Sequence, residues 1–217
     1  MKTGLKITRL GRSGFRLETE CGVTLVDPPE WRQADLLLLT ASELPEWIEL
    51  VPPGTAVIGP PAFRSAARVR GVEALALDVG GEWHGEPARV RICDVVHRGD
   101  RGFGYLIQSA GTCVLHAGKT SPTHEVTWLA DLYRIDGACL PIEGRQTMGP
   151  LEAAQVAAWL RVSWVLPWDP ERSVPLETAE HELAGQLVQR TRADLVSIGV
   201  GKSFEWPPRS GRPERRS

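Results

Sequence analysis

The chain has 217 residues, a formal net charge of −2, and 42% hydrophobic against 24% charged residues. That length allows one large domain or two small ones, and the near-neutral charge gives no whole-chain electrostatic case for nucleic acid or an acidic membrane. No apolar run approaches the ~20 residues of a membrane span, and the opening MKTGLKITRLG lacks an apolar signal core; a soluble, cytoplasmic protein is expected.

In chain order, the first half reads as strands. Residues 5–10, 14–20 and 23–28 alternate or run apolar, with breaks at Gly11, Gly14 and Gly22. DLLLLTA, 35–41, is a short continuous apolar run, as expected of a strand covered on both faces. AVIG and EALALDV follow, separated by a helix candidate, PAFRSAARV, and then come strands over 88–96, 103–109 and 112–118. From Ser121 the pattern alternates. Ser121 is a good N-cap and Pro122 suits the first helical position, so a helix is predicted through HEVTWLADLY. GACLPI and SWVLPW read as strands, PLEAAQVAAWLR and PLETAEHELAGQLVQR as helices, and DLVSIGV and KSFEW as closing strands. Residues 1–206 are taken as one domain. PPRSGRPERRS, 207–217, holds Arg209, Arg212, Arg215 and Arg216 and no apolar residue, so it is expected to be a disordered basic tail.

Two Gly-Lys strings suggest phosphate binding and fail on spacing. A phosphate-binding loop needs a glycine five residues before the Gly-Lys pair, so that successive N–H groups curl round the phosphates. Counting back from Gly118 reaches Cys113, and from Gly201 reaches Val196. The four cysteines form no CxxC, and Cys93, Cys113 and Cys139 lie in apolar strands; buried reduced thiols are expected.

Several strings in order resemble the metallo-β-lactamase superfamily, within it the branch of small bacterial hydrolases similar to ascorbate-phosphate lactonase. They are KITRLGRSGFRLET with VDP at Asp27, DLLLLT ending at Thr40, VVHRG around His97, GYLIQSAGTCVLHAGKT, LPIEGRQTMGPLEAAQVA, VLPWDP and the closing GKSFEW. The resemblance implies an α/β fold, an αββα sandwich of two mixed sheets flanked by helices. It places the active site at one sheet edge, where Thr40, His97, Lys119 and Asp169 converge.

In that family H-x-H-x-D-H follows the strand ending at Thr40 and binds two zinc ions with further histidine and aspartate ligands. Here Ala41-Ser42-Glu43-Leu44-Pro45-Glu46 stands there, Lys119 takes the bridging aspartate's position and Asp169 that of the last histidine. Only His97 matches a ligand. An ammonium has no lone pair for a metal, so no zinc pair and no metal cofactor are expected, and Lys119 is expected within salt-bridge reach of Asp169, Glu43 or Glu46. His116 matches a family position that is not a primary ligand. Trp47 and Trp168 flank eroded positions, and Arg145 with Gln146 sits where the family's loop approaches the site; these four are candidate ligand contacts. The reading is a non-catalytic homologue, a pseudoenzyme with a degenerate metal site that binds a small molecule or protein partner in the old cleft. The alternative is a lactonase- or phosphoesterase-like metallo-hydrolase with a rebuilt site, in which His97, Asp169, Glu43 and Glu46 surround one non-standard metal, such as a hard cation held by the carboxylates, or none.

Overall fold

A computed structural model describes residues 4–41, 43–97, 100–169 and 175–207, without the side chains of 94–102. The side chain of His97 and the tail beyond Pro207 therefore lie outside the described residues.

Two seven-stranded sheets face each other. The first contains β1 (Leu5–Arg9), β2 (Phe15–Thr19), β3 (Gly22–Val26), β4 (Leu36–Leu38), β5 (Ala56–Gly59), β6 (Ala74–Ala76) and β14 (Ser203–Trp206), in the order β14-β1-β2-β3-β4-β5-β6. The second contains β7 (Glu82–His84), β8 (Arg89–His97), β9 (Asp100–Ser109), β10 (Thr112–His116), β11 (Gly137–Pro141), β12 (Trp164–Trp168) and β13 (Asp194–Leu195). Its order is β13-β12-β11-β10-β9-β8-β7. Four helices cover the outer faces: α1 (Pro61–Val69), α2 (His124–Leu132), α3 (Pro150–Leu160) and α4 (Leu176–Arg190). Among the described residues, no helix is long and apolar enough to cross a membrane.

Period-two alternation sorts the side chains into layers. Leu36 and Leu38 of β4 join Ile7, Phe15 and Val26 in the core between the sheets, where they meet Tyr105, Val114, Trp164, Leu166 and Trp168. The intervening Leu37 points outward, into a cluster with Phe63 and Ala67 of α1. On the other sheet Leu115 and Val165 point outward into the cluster made by α2, α3 and α4. A strand buried on both faces must be apolar at every position, which is why LLLL reads as an unbroken run. The expected αββα sandwich is the fold found.

The parallel pairings decide where the site lies. Val26 pairs Leu38 and Leu38 pairs Ile58; His116 pairs Cys139, and Pro141 pairs Trp168. The C-terminal ends of β3, β4 and β5 therefore share one edge of their sheet and those of β10, β11 and β12 one edge of theirs, and Tyr105 joins the two sheets there. Its hydroxyl donates across the sandwich to the Leu39 carbonyl at 2.5 Å.

Helix α2 starts two residues later than Ser121 predicts. Thr123 occupies the N-cap position in an extended conformation, and the preceding residues are bound into the site loop instead, where Thr120 donates to the Ser121 carbonyl at 2.7 Å. The strands predicted at 73–79 and 194–200 shrink to Ala74–Ala76 and Asp194–Leu195.

Candidate functional site

Asp27 ends β3, where Val26 is followed by Asp-Pro-Pro and the chain must leave the sheet. The aspartate adopts a positive φ of 42°, which Asp tolerates better than most residues. Thr40, one turn of chain beyond the neighbouring β4, donates its amide to Asp27 Oδ1 at 2.8 Å and its hydroxyl to Oδ2 at 2.5 Å. Burial pushes the carboxyl up to about 6, against the lowering pull of those two bonds and of the nearby Lys119 ammonium. A carboxyl with its midpoint raised toward neutrality is a group that can take and return a proton.

Lys119 is exposed on the loop after β10. Gly118 before it has φ 63°, and a Cβ there would stand 2.4 Å from the Phe103 carbonyl oxygen, so only glycine fits this turn. Among the described residues Lys119 makes no ion pair within 4 Å. None of the partners expected for it pairs with it within 4 Å among the described residues. Glu43 and Glu46 are exposed on the loop after β4, and the buried Asp169 acts electrostatically on Arg9. Asp27 is the carboxylate whose charge Lys119 steadies.

Arg9 is a site group the sequence reading missed. It lies on the inward face of β1, 4% exposed, with Nε donating to the Gly11 carbonyl at 3.1 Å and a terminal nitrogen to Ile198 at 3.3 Å. Burial lowers its pKa, while Glu180 and Asp169 pull it back up. A cation at the third inward position of Leu5-x-Ile7-x-Arg9 was the available signal.

His116, 1% exposed, lies beneath Lys119 with its ring stacked on Trp168 at 5.6 Å and Phe15 against it edge-on. Burial lowers its pKa to about 4, although the Ser13 backbone nearby favours the charged form. The ring is neutral at pH 7. Gly118 N–H donates to its Nδ1 at 3.3 Å, so the ring proton sits on Nε2; that N–H makes no well-directed hydrogen bond. Trp168 is fully buried and fills the floor beneath the loops, while Trp47 packs against Trp31 at 6.4 Å. Trp168 has no surface open to a ligand, whereas Trp47 stays partly exposed.

The loop after β11 is built round Glu143. Its carboxylate Oε2 accepts the amides of Arg145, Gln146 and Thr147 at 3.1, 2.6 and 3.2 Å. Met148 N–H donates to the Thr120 carbonyl at 2.8 Å, which ties this loop to the one carrying Lys119. Arg145 is exposed at its tip. Two surface hollows, of about 720 and 450 Å³, open at the opposite edge beside Asp35, Thr55 and Asp136 and gather no comparable set of buried titratable groups.

Two seven-stranded sheets between helices, with loops and buried titratable groups at one edge, define the metallo-β-lactamase class of fold. The chain belongs to the beta-lactamase superfamily domain family, whose model matches residues 6–169. It is 29% identical to a UPF0173 metal-dependent hydrolase of Korarchaeum cryptofilum, covering 93% of this chain and 99% of that protein. It is 25% identical to another of that name from Methanoregula boonei over 94% and 99%. Among solved structures it resembles Igni18, a metallo hydrolase of Ignicoccus hospitalis, with a TM-score of 0.82, 20% identity and coverage of 94% and 99%. The metallo-beta-lactamase fold protein YhfI of Bacillus subtilis follows with a TM-score of 0.73 at 13% identity, over 94% of this chain and all of that one.

These relatives correct two expectations. The reading as a non-catalytic pseudoenzyme with a degenerate site, and the expectation of no metal cofactor, both rested on counting lost ligands. Relatives named metal-dependent hydrolases align with the chain almost end to end, which favours the hydrolase alternative and a metal. Ligand counting tests one arrangement of donors and is blind to a cleft rebuilt from others. The described residues do not by themselves fit a metal: no group of three or more His, Cys, Asp or Glu among them stands close enough to hold one. Both Asp27 oxygens already accept bonds from Thr40.

Proposed function

We propose that this protein is a hydrolase, metal-dependent as its relatives are named, with a non-standard site at the loop edge between Asp27, Lys119 and Asp169. The end-to-end correspondence with the metal-dependent hydrolase relatives carries this reading. Its substrates are small lactones or phosphoesters, the two classes the rebuilt-site reading allows. The free cysteines suit a reducing, cytoplasmic setting.

This chain's own residues supply acid–base and electrostatic chemistry. Asp27 takes a proton from the attacking water; each of its oxygens keeps a second lone pair beside the bond from Thr40. The leaving oxygen receives that proton as the bond to the carbonyl carbon or phosphorus breaks, which returns Asp27 to its carboxylate. Lys119, on a turn held by Gly118 and His116, opposes the negative charge that develops on the substrate oxygen. Arg9 stays beneath, balancing Asp169.

The test is turnover of a panel of lactones and phosphomonoesters by purified protein supplied in turn with zinc, manganese and magnesium. Hydrolysis of at least one class, sensitive to chelator, is expected; no turnover with any metal overturns the reading.

A further inference from the structure

We propose that the substrate carries a compact oxyanion and that Lys119 and Arg145 together hold it. This rests on the hydrolase reading and names its substrate class.

Both cations come from loops of the second sheet, and the hydrogen bond from Met148 N–H to the Thr120 carbonyl at 2.8 Å locks those loops side by side. Neither makes an ion pair within 4 Å among the described residues. Both are exposed. The loops hold the backbone beneath each charge rigidly. Lys119 follows a turn that only glycine can make, with Gly118 also bonded to His116 Nδ1. Arg145 stands on a loop whose three successive amides are consumed by Glu143. Those amides would otherwise form an anion-binding nest; with Glu143 filling it, the guanidinium is the group this loop has left for an external anion. The exposed carboxylates Glu43 and Glu46 belong to the segment after β4 of the other sheet, whereas both cations stand on the two joined loops of the second sheet. A planar guanidinium forks onto two oxygens while an ammonium acts as a point charge. That combination fits a phosphate or a carboxylate.

The experiment measures binding of inorganic phosphate and, separately, of acetate by calorimetry, at fixed ionic strength with a chelator present. Wild-type protein is expected to bind at least one of them in the millimolar range. Phosphate preferred over acetate points to a phosphoester, and the reverse to a carboxylate-bearing lactone. Lys119→Met and Arg145→Met should each weaken binding about tenfold, whereas Arg190→Met, which removes a distant cation on α4, should leave it unchanged. No binding of either anion up to about 20 mM, or equal weakening by Arg190→Met, overturns the proposal. Because turnover is not read, a protein that binds phosphate yet hydrolyses nothing refutes the hydrolase reading alone. One that hydrolyses its substrate at unaltered KM in both variants refutes the clamp alone.

Discussion

Thr40 closes on Asp27 with two hydrogen bonds, one to each carboxylate oxygen, at 2.8 and 2.5 Å. They join the chain just beyond two adjacent parallel strands, where Val26 pairs Leu38. The carboxylate is thereby enclosed at the loop edge, and burial raises its pKa to about 6.

A carboxyl with a raised folded pKa favours its proton more in the native state than in the unfolded chain. Its contribution to stability is full below the ordinary value of 3.8 and is lost as pH rises through about 6. Asn in place of Asp27 still accepts the Thr40 amide on Oδ1 and can donate from Nδ2 to the Thr40 hydroxyl oxygen, and it removes that dependence. Thermal melts should show Asp27→Asn gaining on the wild type by about 3 kcal/mol between pH 4 and pH 7. A constant difference across this range would mean the carboxylate is well solvated.

His116 titrates with the opposite consequence. Its folded pKa lies near 4 against an ordinary 6.5, because burial disfavours the imidazolium. Stability is therefore present above pH 6.5 and falls as pH drops toward 4, when the unfolded chain takes up a proton that the native ring refuses. His116→Gln should flatten this acid limb, and melts from pH 7 to pH 4 measure it.

Lys119 is exposed and unpaired among the described residues, so the stability cost of Lys119→Met should stay below about 1 kcal/mol. Its effect belongs to Asp27. Without the ammonium nearby, the carboxyl should titrate higher, and Lys119→Asp should raise it further. Titration of Asp27 followed by carbon-13 carboxyl shifts reads this directly; unchanged midpoints in both variants would separate the two residues.

The loop carrying Arg145 depends on Glu143, a buried carboxylate accepting three amides. Glu143→Ala leaves those donors unsatisfied and should cost about 1–3 kcal/mol. Gly118→Ala should cost at least as much, since its Cβ would meet the Phe103 carbonyl oxygen at 2.4 Å in a turn with φ 63°. Urea midpoints check both; a neutral Gly118→Ala would show that the turn relaxes freely.

Covered strands were legible where LLLL, CVL and WVLPW are apolar at successive positions, as burial on both faces requires, whereas the sandwich itself came from the family resemblance. Sheet order was not, since β1 pairs with β14 across almost the whole chain and no local pattern encodes such a partner. At the site, the loss of H-x-H-x-D-H and the lysine at 119 were plain. Asp27 and Arg9 were not singled out, because their roles come from burial at a junction of strands. Asp27 had a signal in standing between an apolar strand and two prolines. Arg9 had one in sharing the inward register of Leu5 and Ile7. The start of α2 was misplaced because Ser121 and Pro122 form a sound local N-terminus, and the site loop's hydrogen bond from Thr120 overrides it.

The central claim is that Asp27 serves hydrolysis at this edge, and the pH profile of kcat/KM tests it most directly. On a lactone or phosphomonoester turned over by the metal-supplemented protein, the rate should rise with pH through a midpoint near 6. Asp27→Asn should lower it by about 100-fold or more and abolish that midpoint while the protein stays folded. A profile that keeps its midpoint and rate in Asp27→Asn would contradict the account.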